Sequence, residues 1–110
     1  MPLALSAQDR ENLALTIAGE IDPGMTRYGT EAARQEMAAI MGVIDNRSML
    51  SNRTISQTVR APHQFSTWNT AKGRSIAKGN YRQNQAAIEE AISAYQAGEL
   101  VSPVPAATHY

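Results

Sequence analysis

The chain has 110 residues, of which 43% are hydrophobic and 18% are charged, and it contains no cysteine. This length suits one domain, and this composition excludes a disordered chain. The lack of cysteine excludes disulfides, zinc–thiolate sites and iron–sulfur clusters, and no apolar run approaches the roughly 20 residues of a membrane span. Residues 1–7 lack the basic and apolar regions of a signal peptide. We therefore expect residues 1–110 to form a single domain with no membrane span and no signal peptide.

Formal charges sum to zero, but they are separated along the chain. Residues 1–45 carry three basic and seven acidic side chains, residues 46–88 carry seven basic and no acidic ones, and residues 89–110 carry three acidic ones. Clustered Lys and Arg raise the local potential whatever the total charge. The middle segment indicates a polyanionic partner, either nucleic acid or a charged cell-wall polymer, unless it is only a solvated surface.

Hydrophobic periodicity predicts two helices in the first half of the chain. The first runs from about Ala7 to Gly19, and Ser6 and Asp9 have the spacing of a capping box at its start. The second, from about Thr30 to Arg47, has small or apolar residues around most of its circumference and is expected to be the central helix. The predicted buried positions are Leu13, Ala14, Ile17 and Ala18, then Ala33, Met37, Ile40, Met41 and Ile44.

The second half predicts two more helices around a long loop. A short helix from about Thr54 to Arg60 ends before a proline. Residues Ala61 to Gly79 are rich in polar residues and glycine, and they predict a loop with one helical turn near Arg74 to Lys78. The last helix begins at residue 80 or 84 and ends at about residue 97. Its predicted buried face comprises Ala87, Ile88, Ala91, Ile92 and Tyr95.

One carboxylic acid is a candidate for catalysis. Glu20 follows an apolar helix and precedes a Pro-Gly turn, so its carboxyl group is expected in a partly apolar cleft wall at a helix C-terminus. Burial and the negative end of the helix dipole both disfavour the ionised form and raise the pKa of Glu20. Such an acid can donate a proton to a glycosidic oxygen near neutral pH. From position alone, the alternative is an exposed residue at a helix end.

Four sequence blocks occur in the order Leu15–Glu20 (LTIAGE), Val43–Arg47 (VIDNR), Gln64–Asn69 (QFSTWN) and Ala107–Tyr110 (ATHY). Together they resemble the SleB-type cell wall hydrolases. The resemblance implies a peptidoglycan-degrading catalytic domain with Glu20 as the catalytic acid. We expect a mainly α fold, α+β at most, similar to the lysozyme-like folds, with a short β-hairpin from the Gln64–Asn69 region and the terminal tail.

The chain departs from the family pattern in two places. About eight extra residues, around Asp22 to Thr30, precede the second acid, which therefore maps only onto Glu31, with Asp22 as another candidate. The family sequence normally continues past the His-Tyr pair, whereas this sequence ends at Tyr110. We expect either a minimal version of the domain or one truncated at its C-terminus.

Glycan strands can be cut between N-acetylmuramic acid and N-acetylglucosamine by two routes. A muramidase-type hydrolase generally uses two carboxylates, roughly 5 to 9.5 Å apart. A lytic transglycosylase needs one acid, which protonates the leaving oxygen and then draws the proton from the C6 hydroxyl to close a 1,6-anhydro ring. One well-placed acid favours the transglycosylase, as the resemblance does. An N-acetylmuramoyl-L-alanine amidase is the remaining wall-degrading alternative, and we expect neither metal nor cofactor.

Substrate contacts are expected from the loop and the tail. Phe65 and Trp68, the only Phe and the only Trp, either stack on sugar faces or fill the core. Asn46 and Arg47 are expected to hold the loop rather than to contact substrate. The remaining predicted substrate-binding residues are Gln64, Ser66 and Asn69, which would bind N-acetyl groups, and His109 and Tyr110, which would line the cleft.

A non-catalytic nucleic-acid-binding module is the competing class, because aromatic rings accompany the basic segment. The basic residues follow no recognised nucleic-acid-binding signature, which disfavours it. A wall-degrading domain without an export signal suits a bacteriophage particle, with other virion proteins as partners, or the host cytoplasm before lysis. A domain of a longer secreted protein suits the sequence equally well.

Overall fold

The computed structural model describes residues 5–21, 31–61 and 65–105, which are mainly helical. The first helix packs chiefly along the last one, and the second helix contacts the other three. Among the described helices, none is both long enough and apolar enough to cross a bilayer. The elements are α1 (Ala7–Glu20), α2 (Glu31–Ser51), α3 (Ile55–Arg60), a 3₁₀ turn (Ser66–Trp68) and α4 (Ala71–Gln96).

The predicted buried faces of α1 and α2 are confirmed, and all nine of those residues are buried. On α4, three of the five predicted residues are buried and two are partly buried. Burying these stripes is the main favourable term in folding, because it removes apolar surface from water. The largest side chains with no exposed surface are Leu13, Ile17, Met37, Ile40, Met41, Ile44, Ile88 and Ile92.

The predicted capping box of α1 is also confirmed. Ser6 Oγ accepts a hydrogen bond from the Asp9 N–H at 3.0 Å, and the Asp9 carboxylate accepts one from the Ser6 N–H at 3.4 Å. Asp9 also accepts hydrogen bonds from the N–H and the hydroxyl of Ser56, at 2.9 and 2.6 Å. The N-terminus of α1 is therefore capped and tied to α3 by one carboxylate.

The predicted loop over residues 61–79 is wrong from residue 71 onward, except for the helical turn expected near residues 74–78. Thr70 caps α4 by accepting a hydrogen bond from the Gly73 N–H at 2.9 Å, and the helix runs from there to Gln96. Ala77 is the one buried residue between 71 and 79, so a small side chain makes the contact and no hydrophobic period is visible. Asn84 interrupts α4 with φ −125° and ψ 21°, which explains why the sequence pattern started near this residue.

The described part of the predicted β-hairpin, residues 65–69, forms a turn and not a strand. Residues 65–69 turn through i→i+3 hydrogen bonds, from the Trp68 N–H to the Phe65 carbonyl and from the Asn69 N–H to the Ser66 carbonyl, both at 3.2 Å. Across the three described ranges there is no strand. Gln64 and the tail beyond residue 105 lie outside the described residues.

Candidate active site

Glu20 is the last residue of α1, and its carboxyl group is partly buried. Burial raises the pKa of Glu20, and a hydrogen bond from the Ser66 N–H to the carboxylate opposes part of that rise. The sequence predicted this upward shift of the Glu20 pKa, but it did not predict the hydrogen bond from the Ser66 N–H. A carboxyl group with a raised pKa holds its proton to a higher pH than a free glutamate does, which suits a group that acts first as an acid and then as a base.

Gly19 lets the 3₁₀ turn approach the end of α1. A Cβ atom on Gly19 would overlap Thr67 Oγ1 and would lie 3.2 Å from Thr67 Cβ and 3.5 Å from the Ala77 side chain. Any residue other than glycine would therefore force the Thr67 side chain to rotate or the turn to move away from the helix. Because Ser66 precedes Thr67 in the same turn, the absence of a side chain at residue 19 also places the Ser66 N–H against Glu20.

The end of α1 is also fixed by α4. Asn80 Nδ2 donates a hydrogen bond to the Ala18 carbonyl at 3.2 Å, and the Ile21 N–H donates one to the Ile17 carbonyl at 3.0 Å. The last carbonyls of a helix have no partner within the helix, so a side chain that reaches one of them stabilises the terminus. Glu20 is thus held on backbone that α4 supports.

Trp68 is attached to α1 one turn before Glu20. Its Nε1–H donates to Thr16 Oγ1 at 2.9 Å, and the buried Thr16 hydroxyl donates to the Asn12 carbonyl at 2.7 Å. The Arg60 guanidinium lies 4.9 Å from the centre of the indole ring. The N–H and one face of Trp68 are therefore occupied within the protein, and a sugar ring would stack on that face only if Arg60 moved away.

Phe65 is a core residue, and its prediction as a substrate contact is corrected. Its side chain is 4% exposed and packs in the main hydrophobic cluster, so it presents almost no surface to a ligand. The Arg47 guanidinium lies 5.4 Å from the centre of its ring. Arg47 therefore contacts the loop that it was expected to hold.

Glu31 differs from Glu20 in both exposure and charge environment. It lies in the first turn of α2, where its carboxylate accepts hydrogen bonds from Gln35 Nε2 at 3.1 Å and from Arg34 Nη1 at 3.2 Å. These hydrogen bonds hold the pKa of Glu31 below its usual value. Glu31 is therefore an exposed, ion-paired carboxylate. The other candidate second acid, Asp22, lies outside the described residues.

The other predicted substrate-binding residues divide into two groups. Ser66 and Asn69 are exposed on the 3₁₀ turn and just after it, and Ser66 contributes its backbone N–H to Glu20. Both side chains are accessible to a ligand bound at this turn. Gln64, His109 and Tyr110 lie outside the described residues.

Asp45 is a second partly buried acid, which the sequence analysis did not identify. Burial raises its pKa, and the Tyr95 hydroxyl donates a hydrogen bond to its carboxylate. Close by, Asn46 Nδ2 donates to the Pro105 carbonyl at 2.8 Å, which holds the chain after α4 against α2. A signal was present in the sequence, since Asp45 lies four residues after Met41 and seven after Ala38, on the face of α2 that these buried residues occupy.

Three residues of the basic segment surround one cleft beside the 3₁₀ turn. Arg60, Arg74 and Lys78 line a space of about 210 Å³ whose wall includes Trp68. Arg74 Nη1 also donates to the Trp68 carbonyl at 3.3 Å. The remaining lining residues are Gln8, Glu11, Asn12 and Leu15 of α1, together with Thr67.

Within the three described ranges, no group of three or more His, Asp or Glu side chains is arranged to hold a metal ion. No family model, curated protein or solved structure matches this chain in comparisons with known proteins.

Proposed function

We propose that this chain is a peptidoglycan lytic transglycosylase that cleaves the bond between N-acetylmuramic acid and N-acetylglucosamine with Glu20 as its single acid and base. The observation that carries the proposal is the partly buried Glu20 carboxyl group, whose pKa is raised by burial and which accepts one backbone hydrogen bond. The sequence blocks that resemble SleB-type hydrolases supply the substrate class. A lysozyme-like arrangement of helices beside the acid is part of the same proposal.

The proposed reaction uses one carboxyl group twice, first as an acid and then as a base. Protonated Glu20 donates its proton to the glycosidic oxygen as the bond from C1 of muramic acid breaks. The resulting carboxylate accepts the proton of the C6 hydroxyl while O6 forms a bond to C1, so no water is consumed. The Ser66 N–H stabilises the carboxylate between these steps, and burial favours its return to the acid form.

The single-acid route is favoured over the two-carboxylate hydrolase by the state of Glu31. Both of its carboxylate oxygens accept hydrogen bonds, one from Gln35 and one from Arg34, and the side chain is exposed. A carboxylate engaged in this way is poorly placed to activate water or to attack a sugar. We further propose that the chain acts at the bacterial cell wall, delivered by a phage particle or from the host cytoplasm, or as part of a longer secreted protein.

Digestion of purified sacculi followed by mass spectrometry tests this proposal. We expect muropeptides that end in 1,6-anhydro-muramic acid, each lighter by one water than the corresponding reducing-end product. Reducing-end muramic acid would instead show a muramidase-type hydrolase, and free stem peptides would show an amidase. Either outcome, or no release at all, would contradict the transglycosylase.

A further inference from the structure

The cleft lined by Arg60, Arg74 and Lys78, here called the Trp68 cleft, is a concentration of positive charge. None of the three cations pairs with a carboxylate of the described residues. By contrast, Arg10 forms an ion pair with Glu89 and Arg34 forms one with Glu90, each at 2.9 Å. Three cations without a carboxylate partner among the described residues surround one concave site and create a local potential that attracts an anion.

The walls of the cleft combine this charge with a held aromatic ring. The Trp68 indole is fixed by its hydrogen bond to Thr16 and by the Arg60 guanidinium over its face. An Arg side chain that stacks on a ring keeps the edge of its guanidinium fork available for hydrogen bonds. That edge matches the two oxygens of a carboxylate, which can accept two parallel N–H hydrogen bonds.

Size and sign limit what the cleft can bind. Its volume of about 210 Å³ suits a small group such as an amino-acid side chain or a chain terminus. Glu11 also lines the cleft and offsets one of the three cations, which disfavours a multiply charged phosphate polymer. Nucleic-acid backbones need a positive groove that follows several phosphates, not a single small cleft.

The Trp68 cleft and Glu20 lie at the two ends of the contact between the 3₁₀ turn and α1. The 3₁₀ turn lies along one stripe of α1, where Trp68 meets Thr16, Thr67 meets Gly19 and the Ser66 N–H meets Glu20. Thr16, which holds Trp68 of the cleft, precedes Glu20 by four residues, so the two lie on the same face of α1 about 6 Å apart along its axis. One polymer could therefore reach both places, with its glycan at Glu20 and a side branch in the cleft.

We propose that the Trp68 cleft binds a carboxylate of the peptide stem carried by the glycan strand whose bond is presented to Glu20. This inference rests on the proposed function for the identity of the polymer. The binding step itself requires no bond cleavage. Cleft and catalytic acid can therefore be tested separately.

Tryptophan fluorescence provides a direct readout, because Trp68 is the only tryptophan. The protein is titrated with a synthetic stem tetrapeptide that has free carboxyl groups, with the same peptide fully amidated, with inorganic phosphate and with a short DNA oligonucleotide. We expect a saturable change with the free peptide, weakened by added salt. We expect amidation to weaken binding about tenfold or more, the loss of about 1.4 kcal/mol.

Two charge reversals on α4 form a matched pair. Lys78→Glu removes a cation that lines the cleft, and Lys72→Glu makes the same change at an exposed position outside it. We expect Lys78→Glu to weaken peptide binding about tenfold or more and Lys72→Glu to leave it nearly unchanged.

Equal binding of the free and amidated peptides, tighter binding of phosphate or DNA, or equal effects of the two variants would overturn the inference. Anhydro-muropeptide release without peptide binding would contradict the proposed role of the Trp68 cleft and would support the transglycosylase activity. Peptide binding without any muropeptide release would support the role of the cleft and would contradict the transglycosylase activity.

Discussion

Glu20→Gln is expected to lower the rate of glycan-strand cleavage by about 10²–10⁴-fold, the usual contribution of a general acid–base group. An amide cannot release a proton to the glycosidic oxygen or take one from the C6 hydroxyl. Its oxygen can still accept the Ser66 N–H, so the turn should stay in place. Soluble muropeptide release from dye-labelled sacculi measures the effect.

Glu99→Gln is the matched control for this substitution, because Glu99 is an exposed glutamate beyond α4. It should retain the full rate. Near wild-type release by the Glu20→Gln protein would remove Glu20 from the mechanism. A similar loss in both variants would point to a general effect of charge on binding to sacculi.

Although Glu20→Gln should lower the rate of cleavage, it should not lower the stability of the fold at neutral pH. The folded-state pKa of Glu20 is raised above its unfolded value, so the folded state holds this proton more tightly. The stability contributed by that proton is fully present below the unfolded pKa and is lost as pH rises through the folded pKa. At neutral pH, Glu20→Gln should therefore unfold at an equal or higher urea concentration than the wild type, and this advantage should shrink in acid.

Gly19→Ala is the second substitution with a large expected effect. The new methyl group would overlap Thr67 Oγ1 and would crowd Thr67 Cβ, so we expect Thr67 to rotate and the 3₁₀ turn to shift away from α1. Overpacking of this kind costs about 1–3 kcal/mol of unfolding free energy. The rate of cleavage should fall as well, because the displaced turn no longer holds the Ser66 N–H against Glu20. Urea denaturation and the sacculus assay measure the two effects.

Gly79→Ala supplies the control, since nothing lies within 4 Å of a Cβ atom at Gly79 in α4. Alanine there should stabilise the helix by up to about 1 kcal/mol. Adding Thr67→Ala to the Gly19→Ala protein removes the overlapping oxygen and should restore part of the lost stability. If Gly19→Ala behaves like Gly79→Ala, the close contact between turn and helix does not position Glu20.

Strong periodicity made α1 and α2 predictable, because their large apolar residues repeat on one face. The start of α4 was missed, since Ala77 alone is buried in its first nine residues and a small residue gives no periodic signal. Phe65 lies in a polar segment whose composition cannot distinguish core from cleft. Its burial comes from packing against distant helices.

In the candidate site, too, local features could be predicted from the sequence and contacts between distant residues could not. The end of α1 and its effect on the Glu20 carboxyl group follow from local sequence, because a helix terminus and apolar neighbours are local features. The Ser66 N–H comes from a turn 46 residues further along the chain. The pair of Asp45 and Tyr95 likewise joins residues 50 apart. Contacts of this range depend on how the helices pack.

A carbon-13 NMR titration of the glutamate side-chain carboxyl groups tests most directly whether Glu20 retains its proton. The Glu20 signal is assigned by its disappearance in the Glu20→Gln protein. We predict that Glu20 titrates at a higher pH than a free glutamate and above Glu31, whose pKa is lowered by its hydrogen bonds from Gln35 and Arg34. Titration of Glu20 together with Glu31, or below it, would contradict its role as the proton donor.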